Sequence, residues 1–168
     1  MVLTEHQAKR IASVPCAVVT VSDTRTVETD GGGALIRERL EGAGHRVIAY
    51  AIVPDEPDDV RRSVLAYCAD AGCRAVLVTG GTGLAPRDTT YEALASLFEK
   101  RIDGFGELFR TLSFAEIGAA AMLSRAAAGV RGGTVIFSMP GSVAAVRLAM
   151  DKLILPTLGH IAALLGET

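Results

Sequence analysis

The stretch Thr79-Gly80-Gly81-Thr82-Gly83-Leu84-Ala85-Pro86-Arg87-Asp88-Thr89-Thr90 follows directly on the β-branched, apolar run Arg74-Ala75-Val76-Leu77-Val78, so a strand runs into a glycine turn. Three glycines among four residues suit a backbone that must take positive φ, or one that a ligand must approach more closely than a Cβ would allow. Successive N–H groups in such a turn make a concave, partly positive nest for phosphate oxygens. A tight turn without a ligand would show the same glycines. The acid and hydroxyls of the same loop, Asp88 with Thr82, Thr89 and Thr90, favour the ligand loop. The pattern is neither a Walker loop nor a dinucleotide fingerprint, because Pro86 and Arg87 stand near the places where those need Gly-Lys-Ser/Thr or a further spaced glycine. If Gly81 serves the close approach of a phosphate oxygen, an added methyl there should cost affinity and leave the fold intact.

Other polar residues follow apolar runs in the same way. Cys16 to Val21 is an apolar run that stops at Ser22-Asp23, the mark of a buried, parallel strand. Asp30, read as a helix cap and kept also as a site candidate, leads through Gly31 into a helix over about 31–42, with Ile36 and Leu40 on one face. His45 to Val53 reads as a second strand ending at Pro54-Asp55-Glu56-Pro57, and Val60, Val64 and Cys68 mark the buried stripe of a second helix. After the glycine loop, helix is expected around Thr90 to Phe98, from Phe105 to about Ile117 and through Ala119 to Ser124. Thr134 to Ser138 is a further buried strand, and Met139-Pro140-Gly141-Ser142 turns into a helix that Ser142 can cap. A last helix is expected over Pro156 to Leu165, with Glu167-Thr168 frayed.

Alternating strands and helices of these lengths are the pattern of right-handed βαβ units, hence an α/β fold with a mostly parallel sheet. Such sheets bind ligands beyond the carboxyl ends of their strands. Ser22-Asp23, Asp55, the glycine loop and the Met139–Ser142 turn are all predicted to lie there.

At 168 residues the chain suits one domain, taken as 15–168 behind a polar arm or short helix over 1–14. A net charge of −2 excludes nucleic-acid binding driven by bulk positive charge. Cys16, Cys68 and Cys73 are odd in number, lack metal-ligand spacing and sit among apolar residues, which reads as reduced thiols in a cytoplasmic protein. Val14 to Val21 is too short for a membrane span. The large apolar residues Phe105, Phe109, Leu112, Phe114 and Ile117 exceed what one small domain usually buries along a single helical region, which predicts a homo-oligomer.

Taken in order, Val21-Ser22-Asp23, Pro54-Asp55-Glu56, Thr79-Gly80-Gly81-Thr82-Gly83 with Asp88, Gly104-Phe105-Gly106-Glu107 with Arg110, Leu123-Ser124-Arg125 and Pro140-Gly141-Ser142 resemble the molybdopterin-binding family of molybdenum cofactor biosynthesis, over roughly residues 15 to 165. The resemblance implies a three-layer α/β/α domain, trimeric or hexameric, whose enzymes adenylylate the terminal phosphate of molybdopterin with Mg2+ and ATP. It implies that Asp55 and Asp88 hold magnesium and are tied to catalysis, that Gly80, Gly81, Thr82 and Gly83 cradle phosphates, and that Ser22, Asp23, Gly141 and Ser142 line the pterin or nucleotide end. For Glu107 and Arg110 a ligand role and a helix-surface ion pair are equally compatible with their spacing, and Arg125 joins them as a site candidate. After the acid matched to Asp88, family members usually show Val-Thr-Pro-Glu where this chain has Thr89-Thr90-Tyr91-Glu92, and Ser142 is followed by Val143 rather than proline. Two other functions fit the same residues. One is a binding-only carrier or assembly module that hands molybdopterin to other cofactor-biosynthesis enzymes, and the other is a pyrophosphatase-like nucleotide enzyme on the same fold.

Overall fold

The computed structural model describes residues 9–166, so residues 1–8 of the expected arm and the expected fraying of Glu167-Thr168 lie outside the described residues. Residues 9–14 form no helix. They run as a strap, in which Ile11 N–H donates to the Gly159 carbonyl at 3.0 Å and Arg10 reaches the Pro156 carbonyl.

Six strands form one sheet: β1 (Pro15–Val21), β2 (Arg46–Val53), β3 (Ala75–Thr79), β4 (Lys100–Arg101), β5 (Ala127–Arg131) and β6 (Thr134–Met139), in the order β2-β1-β3-β6-β5-β4. The neighbours β2, β1, β3 and β6 are parallel, while β5 is antiparallel to β6 and β4 to β5. Every residue of β1, β3 and β6 is buried, as unbroken apolar runs at the centre of a parallel sheet require. The exposed Lys100 and Arg101 of β4 occupy an edge, where charge discourages pairing with another chain.

The helices are α1 (Gly31–Gly42), α2 (Pro57–Ala69), α3 (Thr90–Ala95), α4 (Asp103–Ile117), α5 (Val143–Ala149) and α6 (Leu155–Gly166), with a 3-10 segment at Gly118–Leu123 and a π turn at Met150–Ile154 joining α5 to α6. Helix α3 stops earlier than Phe98, and the expected helix at 119–124 is the 3-10 segment. Side chains alternate across the sheet as strand geometry dictates. Val18, Leu77 and Phe137 face Ile36, Leu40, Phe109, Met150 and Leu158 on one side, whereas Val19, Val76, Val78 and Ile136 face Val60, Val64 and Leu94 on the other. Two cores flanking one sheet make the three-layer α/β/α architecture. The run Val143–Gly166 is long and apolar enough to cross a membrane, but its stripe of Val146, Met150, Ile154, Leu158 and Ala162 is buried in the first of these cores. Phe105 and Phe109 are buried there too, with Phe105 edge-on to Phe137 at 5.2 Å between ring centroids, so they serve the core and not an outer contact.

Cys16 and Cys73 are buried, Cys68 is half-buried, and all three are free thiols. Burial pushes the Cys16 thiol up to about 12, so it stays protonated and inert. The paired positions Val21 with Val53, Thr20 with Thr79, and Thr79 with Met139 bring four strand ends to one edge.

Candidate functional site

At the end of β3 the chain turns through Gly80 and Gly81 with φ of 101° and 67°. A Cβ on Gly80 would strike the Val21 carbonyl, and one on Gly81 would overlap Thr90 Oγ1 while lying 3.1 Å from Thr90 Cβ and 3.3 Å from Asp55 Oδ1. The expectation that Gly81→Ala spares the fold is therefore corrected: the methyl would collide with the protein's own side chain before it met a ligand. The amide side of the turn remains open. Gly80 N–H donates to the Met139 carbonyl at 3.0 Å, but among the described residues the N–H groups of Gly81, Thr82, Gly83 and Leu84 donate to no protein acceptor. Consecutive unpaired amides around a left-handed turn are the geometry of an anion nest.

Beside this turn stand the acids. Asp55 is 9% exposed, and one of its oxygens accepts from Thr89 Oγ1 at 3.4 Å. Burial raises its pKa, a hydrogen bond from the Thr89 amide opposes that, and the charges of Asp88 and Asp23 add to the rise. A carboxylate with like charges for neighbours is one that a cation would relieve. Asp88 accepts from the Ala85 amide at 3.2 Å, and its carboxylate would lie 2.7 Å from a Cβ on Gly83. Asp23 accepts from the Asp55 amide at 3.0 Å, which with Arg87 holds its pKa below the usual range. No group of three or more His, Cys, Asp or Glu side chains is gathered as a metal cage among the described residues. Mg2+ does not need one, since it commonly takes one or two carboxylates with substrate phosphates and water. Asp55 and Asp88 next to a phosphate nest fit that donor set.

Arg87 escaped the sequence reading. It spans the mouth of the cluster, pairing with Asp23 at 2.8 Å and with Glu56 at 2.7 Å, so one loop residue ties the ends of β1 and β2 together. Its only signal in the sequence was its place beside Asp88.

The remaining candidates separate. Ser22 lies at the edge and its Oγ accepts from Arg25 N–H at 3.0 Å, folding the loop that follows β1. Thr82 is buried in the turn. Gly141 packs against Gly80, with 3.4 Å between its Cβ position and Gly80 Cα, which joins the β6 turn to the glycine loop. Ser142 caps α5 by accepting from the Ala145 amide at 3.1 Å. Asp30 is not part of the site: it is 2% exposed and accepts from Thr20 Oγ1 at 2.6 Å, from Gly33 N–H at 2.9 Å and from Tyr50. It is the cap of α1 and a polar anchor inside the fold. Glu107 is exposed on α4, and among the described residues it forms no ion pair with Arg110. Arg110 donates instead to the Ala126 carbonyl at 3.1 Å. Arg110 and Arg125 line a cavity of about 330 Å3 with Tyr91, Arg101 and Ser124.

Known proteins resemble the chain in sequence and fold. Residues 17–160 match the family model described as a probable molybdopterin-binding domain. The chain is 55% identical over 162 residues to molybdenum cofactor biosynthesis protein B of Bacillus subtilis (strain 168), covering 96% of this chain and 95% of that one. A crystal structure of a molybdenum cofactor biosynthesis protein B superposes with a TM-score of 0.91 at 53% identity, covering 93% of this chain and 98% of the other. The tungsten cofactor synthesizing protein MoaB from Pyrococcus furiosus superposes with a TM-score of 0.81 at 37% identity, covering 90% and 96% of the two chains.

Proposed function

The chain belongs to the family of probable molybdopterin-binding domains, and from that membership we propose that it works in molybdenum cofactor biosynthesis by transferring AMP from ATP to the terminal phosphate of molybdopterin. The observation that carries the reading is the run of unpaired amides from Gly81 to Leu84 beside two mutually repelling acids, Asp55 and Asp88. In the reaction a terminal phosphate oxygen of the pterin forms a bond to the α-phosphorus of ATP, the bond to the bridging oxygen breaks, and pyrophosphate leaves. The nucleophile is already an anion, so no side chain needs to remove a proton. What the chain must do is bring two anions together and hold them in line. The amides of the glycine loop fix phosphate oxygens without adding a charge that would need its own counter-ion. Asp55 and Asp88 would hold magnesium, which offsets negative charge as it builds at the reacting phosphate. Arg87, paired with Asp23 and Glu56 at the mouth, is placed to exchange those carboxylates for incoming phosphates.

Leu108, Phe114, Ile117, Met122 and Leu123 are exposed on α4 and the 3-10 segment, and we assign this surface to contacts between copies in a homotrimer or homohexamer. The free thiols and the pathway both suit the cytoplasm.

The deciding experiment incubates purified protein with molybdopterin, ATP and Mg2+ and follows adenylylated pterin and pyrophosphate. Turnover is expected, falling roughly a hundredfold or more in Asp55→Asn or Asp88→Asn with the fold retained, as when a charge-stabilising group is lost. Retained pterin binding with no turnover in the wild-type protein would refute the transferase and leave the carrier.

A further inference from the structure

We infer that Arg125 is a positioning residue that aims the amides of the glycine loop, an inference that rests on the reading of that loop as a phosphate site. In a planar trans peptide the C=O of one residue and the N–H of the next point opposite ways. Capturing a carbonyl behind the loop therefore turns the next amide toward the front. The Thr82 carbonyl accepts from the Arg125 backbone N–H at 3.3 Å and from its Nε at 3.4 Å. The Gly83 carbonyl accepts from Arg125 Nε at 3.1 Å and Nη2 at 2.8 Å, and the Asp88 carbonyl accepts from Nη2 at 2.8 Å. One guanidinium thus fixes three peptide planes, whose N–H groups belong to Gly83, Leu84 and Thr89. Among the described residues the first two are unpaired, and the third belongs to Thr89, whose hydroxyl donates to Asp55 Oδ1 at 3.4 Å. The same contact that presents the nest also holds the peptide leading into Thr89, the residue whose hydroxyl meets the acid assigned to the metal.

Arg125 is itself held. Glu92 pairs with its Nη1, and the Tyr91 ring lies 5.4 Å from its guanidinium carbon. Two neighbouring arginines on the cavity behind the loop are already engaged, Arg101 with Asp103 and Tyr91, and Arg110 with the Ser124 and Ala126 carbonyls. The cavity is thus the back of the loop's scaffold. Lysine cannot replace Arg125 here, because a single ammonium cannot present a planar fork to three carbonyls.

The test measures ATP affinity by calorimetry with Mg2+ present, and the amide resonances of Gly83, Leu84 and Thr89 in ligand-free protein, for wild type, Arg125→Lys and Arg125→Ala. Both variants should shift those resonances and weaken ATP binding at least roughly tenfold in the folded protein, and millimolar methylguanidine should restore binding to Arg125→Ala. Glu92→Gln, which keeps the arginine, should weaken binding only two- to threefold and serves if the other variants fold poorly. Full affinity in Arg125→Lys, or unmoved amide resonances in either variant, would overturn the inference. Wild-type protein that fails to bind ATP while the variants still shift the three amides would sink the phosphate-site reading and leave the aiming of the amides standing.

Discussion

Replacing Gly81 by alanine asks whether the turn is built by the protein or for the ligand. The residue sits at a φ of 67°, where an L side chain costs roughly 1–2 kcal/mol. The new methyl would also lie 3.1 Å from Thr90 Cβ and overlap Thr90 Oγ1, in a position where Thr90 is wholly buried and has no free direction to retreat. Overpacking of this kind costs about 1–3 kcal/mol. The sum is about 2–5 kcal/mol, centred near 3.5, which for a domain of this size lowers Tm by roughly 7–14 °C. Urea and thermal melts of the ligand-free variant measure it directly. A second substitution separates the two terms. Among the described residues Thr90 Oγ1 has no hydrogen-bond partner, so Thr90→Ala sacrifices no bond there while clearing the overlap. In a double-mutant cycle the pair should therefore be less destabilised than the sum of the singles by about 1–2 kcal/mol, leaving the backbone strain. A Gly81→Ala protein that melts like wild type, or a cycle with no coupling, would refute this account of the turn.

His45 tests the other end of the sheet: its Nδ1 accepts from the Val14 amide at 3.1 Å, and burial, followed by the charge of Arg10, lowers its pKa. The folded state then binds the proton less readily than the unfolded state, so stability is complete above the unfolded value near ~6.5 and is lost as pH falls through it; urea melts from pH 7.5 to 5 should show this slope, and His45→Asn, which keeps an acceptor, should flatten it. Removing the side chain of Arg87 should raise the Asp23 pKa but leave it below the ordinary carboxylate range, because the Asp55 amide remains its first cause of depression; an NMR titration that finds Asp23 unchanged in Arg87→Ala would rule out the bridge. Light scattering should find an oligomer, and a monomer of 17.5 kDa throughout the micromolar range would remove the assignment of Phe114 and Ile117, 62% and 60% exposed, to a subunit contact.

Which of these features can be read from the chain depends on how far apart their causes lie along it. Strands β1, β3 and β6 are legible because each is a short apolar run whose burial on both faces needs no partner to be inferred. Strand β5 is not. Its Ala127-Ala128-Gly129 carries no strand propensity; the segment is extended by pairing with β6 and β4, and its Gly129 leaves room for the Phe98 ring where a Cβ would stand. That contact joins residues 31 positions apart. The site divides in the same way. Asp55 and the glycines follow strands directly and Asp88 lies in the loop the glycines open, so the rule that ligands bind at strand carboxyl ends finds them. Asp30 follows a strand too, and its place before Gly31 marks it as a helix cap, but Thr20 and Tyr50, 10 and 20 positions away, are what draw it inward. Arg125 is the converse case: it follows no strand and reaches back 42 residues to Gly83. A loop whose amides must face a ligand needs its carbonyls held from behind, and the holder can come from anywhere the fold brings near. The acids and glycines of such a site are written beside its strands and the resemblance names Arg125, whereas what Arg125 does, orienting the loop's amides, appears only once the sheet has closed.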